Sequence, residues 1–492
     1  MSSAVHVAFD LGAESGRAMV GRFDGERIAL EEVRRFPTQS VRLPDGLYWN
    51  ALGLFGELSG ALAGVGKSDA QVRSVGIDSW AVDFGLLDAR GALIANPLSH
   101  RDGRGAASMS RALGLVPADE IYAITGIQFL PINTLFQLLA MEGLDRAATV
   151  LLIPDLLAYW LTGERYAEVT NASTTQLLAA RSGDWSRELI ERLGLPARIF
   201  PPVIEPGSIL GGLLPHVAEA TRLPRSTTVA AVASHDTASA VVAAPLASVG
   251  AAFISSGTWS LVGVELDGPV LTPQAQRLNL TNERGFGGTT RLLKNVMGLW
   301  LVQECRRAWL REGDAPEYAE LAELAAAAPS GALFDPDLPG LLAPGDMPAR
   351  IRAACASARQ DVPEERPALL RAIFDSLACK YRLVLEQIEQ VTGRRLETIH
   401  VVGGGSQNAF LCQLTANVTR RAVLAGPVEA AALGNVLVQM HAFGDVGSLV
   451  EMRQVVRSST ELRLFEPDAA GDAWNALYGR FRTVLDSEVL TR

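Results

Sequence analysis

Two carboxylates in this 492-residue chain stand where they could act on a phosphoryl group. Asp236 lies in Ala-Ser-His-Asp-Thr (233–237), after the apolar run Thr228 to Ala233 and before the small-residue helical stretch Ala238 to Ala244. With His235 and Thr237 it places three polar side chains at one strand end, beside a domain junction. A carboxylate there can accept the proton of a hydroxyl that attacks a γ-phosphorus. An aspartate before a helix also suits a cap, accepting a backbone N–H. Asp10 opens the stretch Asp-Leu-Gly-Ala-Glu-Ser-Gly-Arg (10–17). Gly12 and Gly16 would let backbone amides approach a polyphosphate, and Arg17 would add a forked donor. Asp10, just before the turn, could hold Mg²⁺ directly or through water. From that stretch alone, an ordinary hairpin with a polar tip reads equally well.

The elements that must position these residues follow from pattern. Val5, Val7 and Phe9 alternate with His6, Ala8 and Asp10, which predicts a strand with one buried face. The chain resumes as Ala18 to Phe23, so Val5 to Phe23 reads as a hairpin, and Ile28 to Phe36 continues as a third strand. A second copy appears at Gly250 to Gly263: a strand, a Ser-Ser-Gly-Thr turn and another strand. Two such units half a chain apart suggest a duplicated α/β domain holding one nucleotide. Neither tip is followed by Gly-Lys-Ser/Thr or opens directly into a helix, so neither is a Walker loop or a dinucleotide fingerprint.

Between the copies, apolar spacing predicts a helix over Asn50 to Val65. Ser74 to Phe84 reads as a strand, a turn and a short strand, with Asp78, Trp80 and Asp83 either at a ligand mouth or as plain strand-end caps. His100-Arg101-Asp102 and the loop Thr125 to Thr134 follow. Ile153 to Thr162 and Thr170 to Gln176 read as helix starts with hydroxyl caps. The domain boundary is placed at Ala244 to Val249, giving domains 1–245 and 246–492. Beyond it, Arg277 to Leu293 reads as two strands around a glycine turn, and Lys294 to Gly298 leads into a helix through Arg311. Ala315 to Pro348 alternates Ala-rich helix with loop. Pro363 to Val391 is a long helix whose 4-3 apolar stripe should pack against the facing domain, with Gly393 as its stop. Thr398 to Val402 is a strand running into Gly403-Gly404-Gly405, where backbone can lie against a ligand.

Bulk properties narrow the function. Hydrophobic residues are 48% and charged residues 20%, ordinary for a globular protein. The net charge of −10 argues against a nucleic-acid or anionic-membrane partner. No signal peptide is visible, and Ala148 to Leu161 is broken by Pro154 and too short to span a bilayer. Cys305, Cys355, Cys379 and Cys412 are isolated and the six histidines scattered, which disfavours structural zinc and disulfides and fits a cytoplasmic protein.

These segments resemble the FGGY family of carbohydrate kinases, within the actin-like ATPase superfamily. The matches are ordered along almost the whole chain: DLGAESGR at Asp10, GIDSWAVDF at Gly76, TGIQFLPINTLFQL at Thr125, TNASTTQL at Thr170 and ASHDTASAV at Ala233. They continue with SSGTWSL at Ser255, LTNERGFGG at Leu280, LLKNVMGLWL at Leu292, VVGGGSQN at Val401 and AGPVEAAALGN at Ala425. The resemblance implies two RNase H-like domains of mixed sheets flanked by helices, with the active site in the interdomain cleft. It implies ATP and Mg²⁺, and transfer to the 1-hydroxyl of L-rhamnulose in rhamnose metabolism. Carried over by residue, it places ATP contacts on Ala13, Glu14, Ser15, Gly16, Arg17, Thr258, Gln303 and Gly404. Sugar contacts fall on Ala81, His235, Asp236, Thr237 and Asn295, with Asp236 as proton acceptor. Ala81 replaces the family's usual glycine, Asn50 an aspartate and Arg284 a glycine. The alternatives are a kinase for L-fuculose or another ketose or polyol, and a nucleotide-gated chaperone or filament subunit. The His-Asp-Thr group disfavours the latter. The expected partners are small molecules, in a monomer or small homo-oligomer.

Overall fold

The computed structural model of the chain describes residues 4–68, 71–246, 250–314 and 316–489. Ala247 to Val249, part of the expected boundary, lie outside the described residues, as do Ala315, the first residue of the expected Ala-rich stretch, and the last three residues of the tail. The chain divides into two units. One comprises Met1–Pro245, Glu265–Leu292 and Glu429–Thr460; the other comprises Leu246–Val264, Leu293–Val428 and Glu461–Arg492.

The first unit is built on six strands: β1 (Val5–Leu11), β2 (Ser15–Phe23), β3 (Ile28–Pro37), β4 (Val72–Ser79), β5 (Ile209–Gly212) and β6 (Thr228–Ala230). Their order is β5-β6-β4-β1-β2-β3. The first three pair antiparallel, β1 pairs parallel with β4, and β4 parallel with β6. β1 is buried on both faces rather than one. Val5, Val7, Phe9 and Leu11 join a core with Leu54, Leu58 and Leu62 of helix Ala51–Gly66. The other face is covered by helix Ala430–Ala442, more than 400 residues away in sequence: Gln439 Nε2 donates to the Val7 carbonyl at 3.1 Å. Gly76 on β4 admits that helix, since a Cβ there would lie 2.4 Å from Asn435 Oδ1.

The second sheet comprises β7 (Ala251–Ser256), β8 (Trp259–Leu266), β9 (Thr290–Met297), β10 (Thr398–Val402), β11 (Ala422–Ala425) and β12 (Arg463–Phe465), all in the second unit except the end of β8 (Glu265–Leu266) and the start of β9 (Thr290–Leu292). Leaving aside Thr281–Arg284, which is grouped with the first unit, the order is β9-β8-β7-β10-β11-β12. Again a hairpin (β7, β8) is followed by parallel β10 and β11 and an antiparallel edge strand. The sheet repeats the first one's plan, as a duplicated domain requires.

Several local expectations change. The β6 ladder stops at Ala230, not Ala233, and just beyond it Ala231 N donates to the Ser208 carbonyl at 2.8 Å. Helix Ile153–Thr162 has no side-chain cap and carries Pro154 in its first turn, while the short helix Val169–Ala172 is capped by the Glu168 carboxylate, not a hydroxyl. Two strands around a glycine turn are present as expected, Thr281–Arg284 and β9, but Arg277 closes a short helix, Pro273–Arg277. Lys294 to Gly298 leads into helix Trp300–Arg311 as expected, with Lys294–Asn295 still in β9. The long helix, Arg366–Thr392, ends at Gly393 with φ +67° as expected. It packs on Ala409–Thr419, Tyr318–Ala327 and Gly471–Val489 of its own unit, not on a facing domain. Tyr381 on that helix meets Ser260 Oγ at 2.7 Å. All four cysteines are free and buried. Among the described residues, no helix is long and apolar enough to cross a membrane.

Candidate active site

In the first unit the strand ends gather acids. Parallel register sets Asp10 against Asp78, and antiparallel register sets Asp10 against Arg17. Asp10 is 4% exposed and Asp78 fully buried. Arg17 Nη2 donates to Asp10 Oδ2 at 2.6 Å, and Nη1 pairs with Glu429. The guanidinium expected to meet a phosphate is thus held between two carboxylates. Asn435 Nδ2 donates to Asp78 Oδ2 at 2.6 Å, while Asp78 Oδ1 is buried without a hydrogen-bond partner. Burial and the neighbouring Asp10 push the Asp78 carboxyl well above the usual carboxylate range.

The loop carrying Asp236 reaches the same strand ends. Ser79 N donates to the Ser234 carbonyl at 2.9 Å, and Trp80 N to the Leu11 carbonyl at 3.1 Å. Asp236 is the first residue of helix Asp236–Val242, with His235 in the cap position. Its Oδ1 accepts from Thr237 N at 2.6 Å and lies 3.4 Å from His235 Nε2. The side chain stays 30% exposed on one side. The protein packed around the rest raises its carboxyl, His235 opposes that, and Asp10 adds to it. An accessible carboxylate with raised proton affinity beside a second acid suits a proton acceptor.

Two buried ionic groups hold this loop. Glu168 Oε2 accepts from Ser234 N at 2.9 Å, Ser234 Oγ at 2.7 Å and Thr170 Oγ1 at 2.6 Å. Arg291, fully buried, pairs with Glu283 at 3.2 Å and reaches His235 Nδ1 at 3.2 Å. Each ties His235–Asp236 to another segment of the same unit.

In the second unit, Thr258 sits in the turn between β7 and β8, and its carbonyl accepts from Trp300 N at 3.1 Å. The turn therefore sits on the start of helix Trp300–Arg311, which carries Gln303. Gln303 Oε1 is buried with no partner. At Gly405 a Cβ would lie 2.0 Å from Ser256 Oγ, whereas at Gly404 it would meet nothing within 4 Å. Backbone at Gly404 thus faces open space beside the turn, a place for a ligand to lie close. Asn295 is on β9.

Sequence comparison decides the family. The model of the FGGY N-terminal domain matches residues 5–243, and that of the FGGY C-terminal domain matches 252–443. The chain belongs to the FGGY family of carbohydrate kinases. A rhamnulokinase of Bacteroides thetaiotaomicron is 40% identical over 480 residues, covering 96% of this chain and 98% of that protein. One from Pectobacterium carotovorum is 42% identical over 474 residues, covering 95% and 94%. The fold is shared with a ligand-bound xylulose kinase of Lactobacillus acidophilus, at TM-score 0.82 and 16% identity over 98% of both chains. Plasmodium falciparum glycerol kinase with ADP gives TM-score 0.78 at 16% identity, covering 99% of this chain and 98% of that one.

For this kinase, the structure brings Asp10, Arg17, Ala81, His235, Asp236 and Thr237 into one unit, at or next to the same strand ends, with Ala13 to Gly16 in the adjoining hairpin. Thr258, Gln303, Asn295 and Gly404 belong to the other. Sequence reading missed Glu168, Glu283, Arg291, Glu429 and Asn435. Glu283, Glu429 and Asn435 stand inside the quoted motifs, and Glu168 two residues before one. Each could have been flagged as a charged or amide residue in an otherwise apolar or small-residue run.

The residues fit the groups that phosphoryl transfer needs. Among the described residues no cluster of three His, Cys, Asp or Glu side chains is placed to hold a metal. Mg²⁺ commonly takes only one or two carboxylates plus phosphate oxygens and water, and the orphaned Asp78 Oδ1 beside Asp10 supplies such oxygens. The open backbone at Gly404 and the partnerless Gln303 Oε1 suit a nucleotide.

Proposed function

We propose that this enzyme transfers the γ-phosphoryl group of ATP to the 1-hydroxyl of L-rhamnulose, giving L-rhamnulose 1-phosphate and ADP in the cytoplasm. The observation that carries the choice of sugar is the near-complete coverage of rhamnulokinases at 40% identity or more. In this reading Asp236 accepts the hydroxyl proton as the oxygen attacks, with His235, Thr237 and Asn295 orienting the ketose and Ala81 lining its pocket. Glu168 keeps Asp236 in place through Ser234. Ala13 to Arg17, Thr258, Gln303 and Gly404 hold the nucleotide, with Asp10 and Asp78 toward its Mg²⁺. The metal, when bound, neutralises charge on the phosphate oxygens. Arg17 orients Asp10 and offers its remaining donors to phosphate. The 1–245 half supplies the base, the sugar contacts other than Asn295 and the hairpin contacts Ala13 to Arg17, and 246–492 supplies Asn295, Thr258, Gln303 and Gly404.

Initial rates with ATP against L-rhamnulose, L-fuculose, D-xylulose and glycerol test the assignment. L-rhamnulose should have the highest kcat/KM. A higher value for L-fuculose or another ketose would replace the sugar while leaving the kinase in place.

A further inference from the structure

We infer that Asp83, acting with His100, is a positioning residue that sets the sugar-facing corner Trp80–Val82 and thereby the enzyme's affinity for its ketose. The inference rests on the sugar-kinase reading above and on Ala81 as a sugar contact. The backbone supplies the first observation. Val82 has φ +67°, unusual for a β-branched residue. Asp83 N donates to the Ala81 carbonyl at 2.9 Å, so the chain reverses in three residues, the rare and strained form of such a turn. A conformation of that kind persists only where its surroundings over-determine it.

The surroundings do so. Asp83 is fully buried. Its Oδ2 accepts from Trp49 Nε1 at 2.6 Å, His100 Nδ1 at 2.7 Å and Trp80 Nε1 at 3.0 Å. Oδ1 accepts from Gln137 Nε2 at 3.1 Å. The Val82 carbonyl takes Thr134 Oγ1 at 2.7 Å. One carboxylate therefore draws donors from three other segments, and from Trp80 of its own, onto a single corner. The Trp49 and Trp80 rings lie against each other, centroids 4.2 Å apart. Burying a charge to shape one turn is a poor route to stability, since apolar packing would serve as well. It makes sense where the position of Trp80 and Ala81 matters. That corner is joined to the acid cluster by Trp80 N on the Leu11 carbonyl, one residue past Asp10.

Steady-state kinetics on Asp83→Asn, His100→Ala and His100→Asn test this, with far-UV circular dichroism and Tm as fold controls. Asn at 83 presents an amide N–H₂ where an acceptor is needed, so KM for the ketose should rise about tenfold or more, while KM for ATP and kcat stay within about threefold. His100→Ala deletes one donor and should raise the ketose KM about fivefold, whereas His100→Asn can restore an N–H toward Asp83 and should recover most of that loss. An unchanged ketose KM in Asp83→Asn, a matching rise in the ATP KM, or no recovery in His100→Asn would overturn the inference. If Asp83→Asn does not fold, the His100 pair decides alone. The ketose is whichever of L-rhamnulose, L-fuculose and D-xylulose the wild type phosphorylates. A wild type that uses none of them refutes the sugar-kinase reading and this inference with it, an outcome visible before any variant is measured.

Discussion

At the scale of single residues, Asp236 is the proposed proton acceptor and Asp78 the buried acid beside it. Asp236→Asn removes the acceptor at nearly constant shape, so kcat should fall about 10²–10⁴-fold with Tm and ATP affinity kept. The wild-type acid limb should lie above the ordinary aspartate range, because the surrounding protein and Asp10 raise the Asp236 carboxyl. Activity is lost as pH falls through that raised value, and the residual rate of the variant should lack this limb. Asp78 gives the opposite sign for stability. Its folded carboxyl prefers the proton more than the unfolded one does. Folding is therefore penalised as pH rises from the unfolded value through the folded one. Asp78→Asn should raise Tm near pH 8 while lowering activity, and the gain should shrink on acidification toward the ordinary carboxylate range. A constant Tm difference across that window, by calorimetry, would show that Asp78 is not a strained acid. The residues nominated from sequence were those at strand ends and glycine turns. Arg17 was nominated as a phosphate-facing cation, but its carboxylate partners were not foreseen: Glu429 is 412 positions away.

At the scale of elements, the glycine turn after β10 makes a sharper claim than the hairpin. A methyl at Gly405 would press on Ser256 Oγ and Cβ, at 2.0 and 2.6 Å, and push the loop off the β7 end. Gly405→Ala should raise KM for ATP about tenfold or more and leave KM for sugar within about twofold. Isothermal titration of ADP against each protein gives the same comparison without turnover. Equal nucleotide affinity would remove this loop from the nucleotide site. Strands and turns of this kind were readable because alternation and glycines are local signals. The long helix shows where such signals stop. The 4-3 spacing of Leu370, Phe374, Leu377 and Tyr381 established a buried face, and all four are buried. The spacing says nothing of what covers that face, and the covering helices are those of its own unit. The same limit applied to β1, whose polar-looking His6, Ala8 and Asp10 face is covered by a helix from the other end of the chain. His6 is paired with Ser74 at 2.7 Å, so it is a satisfied buried histidine.

At the scale of the whole molecule, the sheet plan is written twice and the assigned residues fall on both units. A kinase so built should consume little ATP without its sugar, since water is the competing acceptor. Release of inorganic phosphate from ATP alone should run at about a hundredth of the kinase rate or less. A brisk sugar-independent rate would instead favour a nucleotide-gated relative. The central claim, transfer to one hydroxyl of one ketose, is tested most directly by product identity. L-rhamnulose labelled with ¹³C at carbon 1 is incubated with ATP, Mg²⁺ and the enzyme, and the ¹³C spectrum is recorded as ADP accumulates. The account predicts that the C1 resonance becomes split by phosphorus, with one ADP formed per labelled product. An unsplit C1 signal while ADP accumulates would contradict it, by showing phosphate on another hydroxyl or none on the sugar.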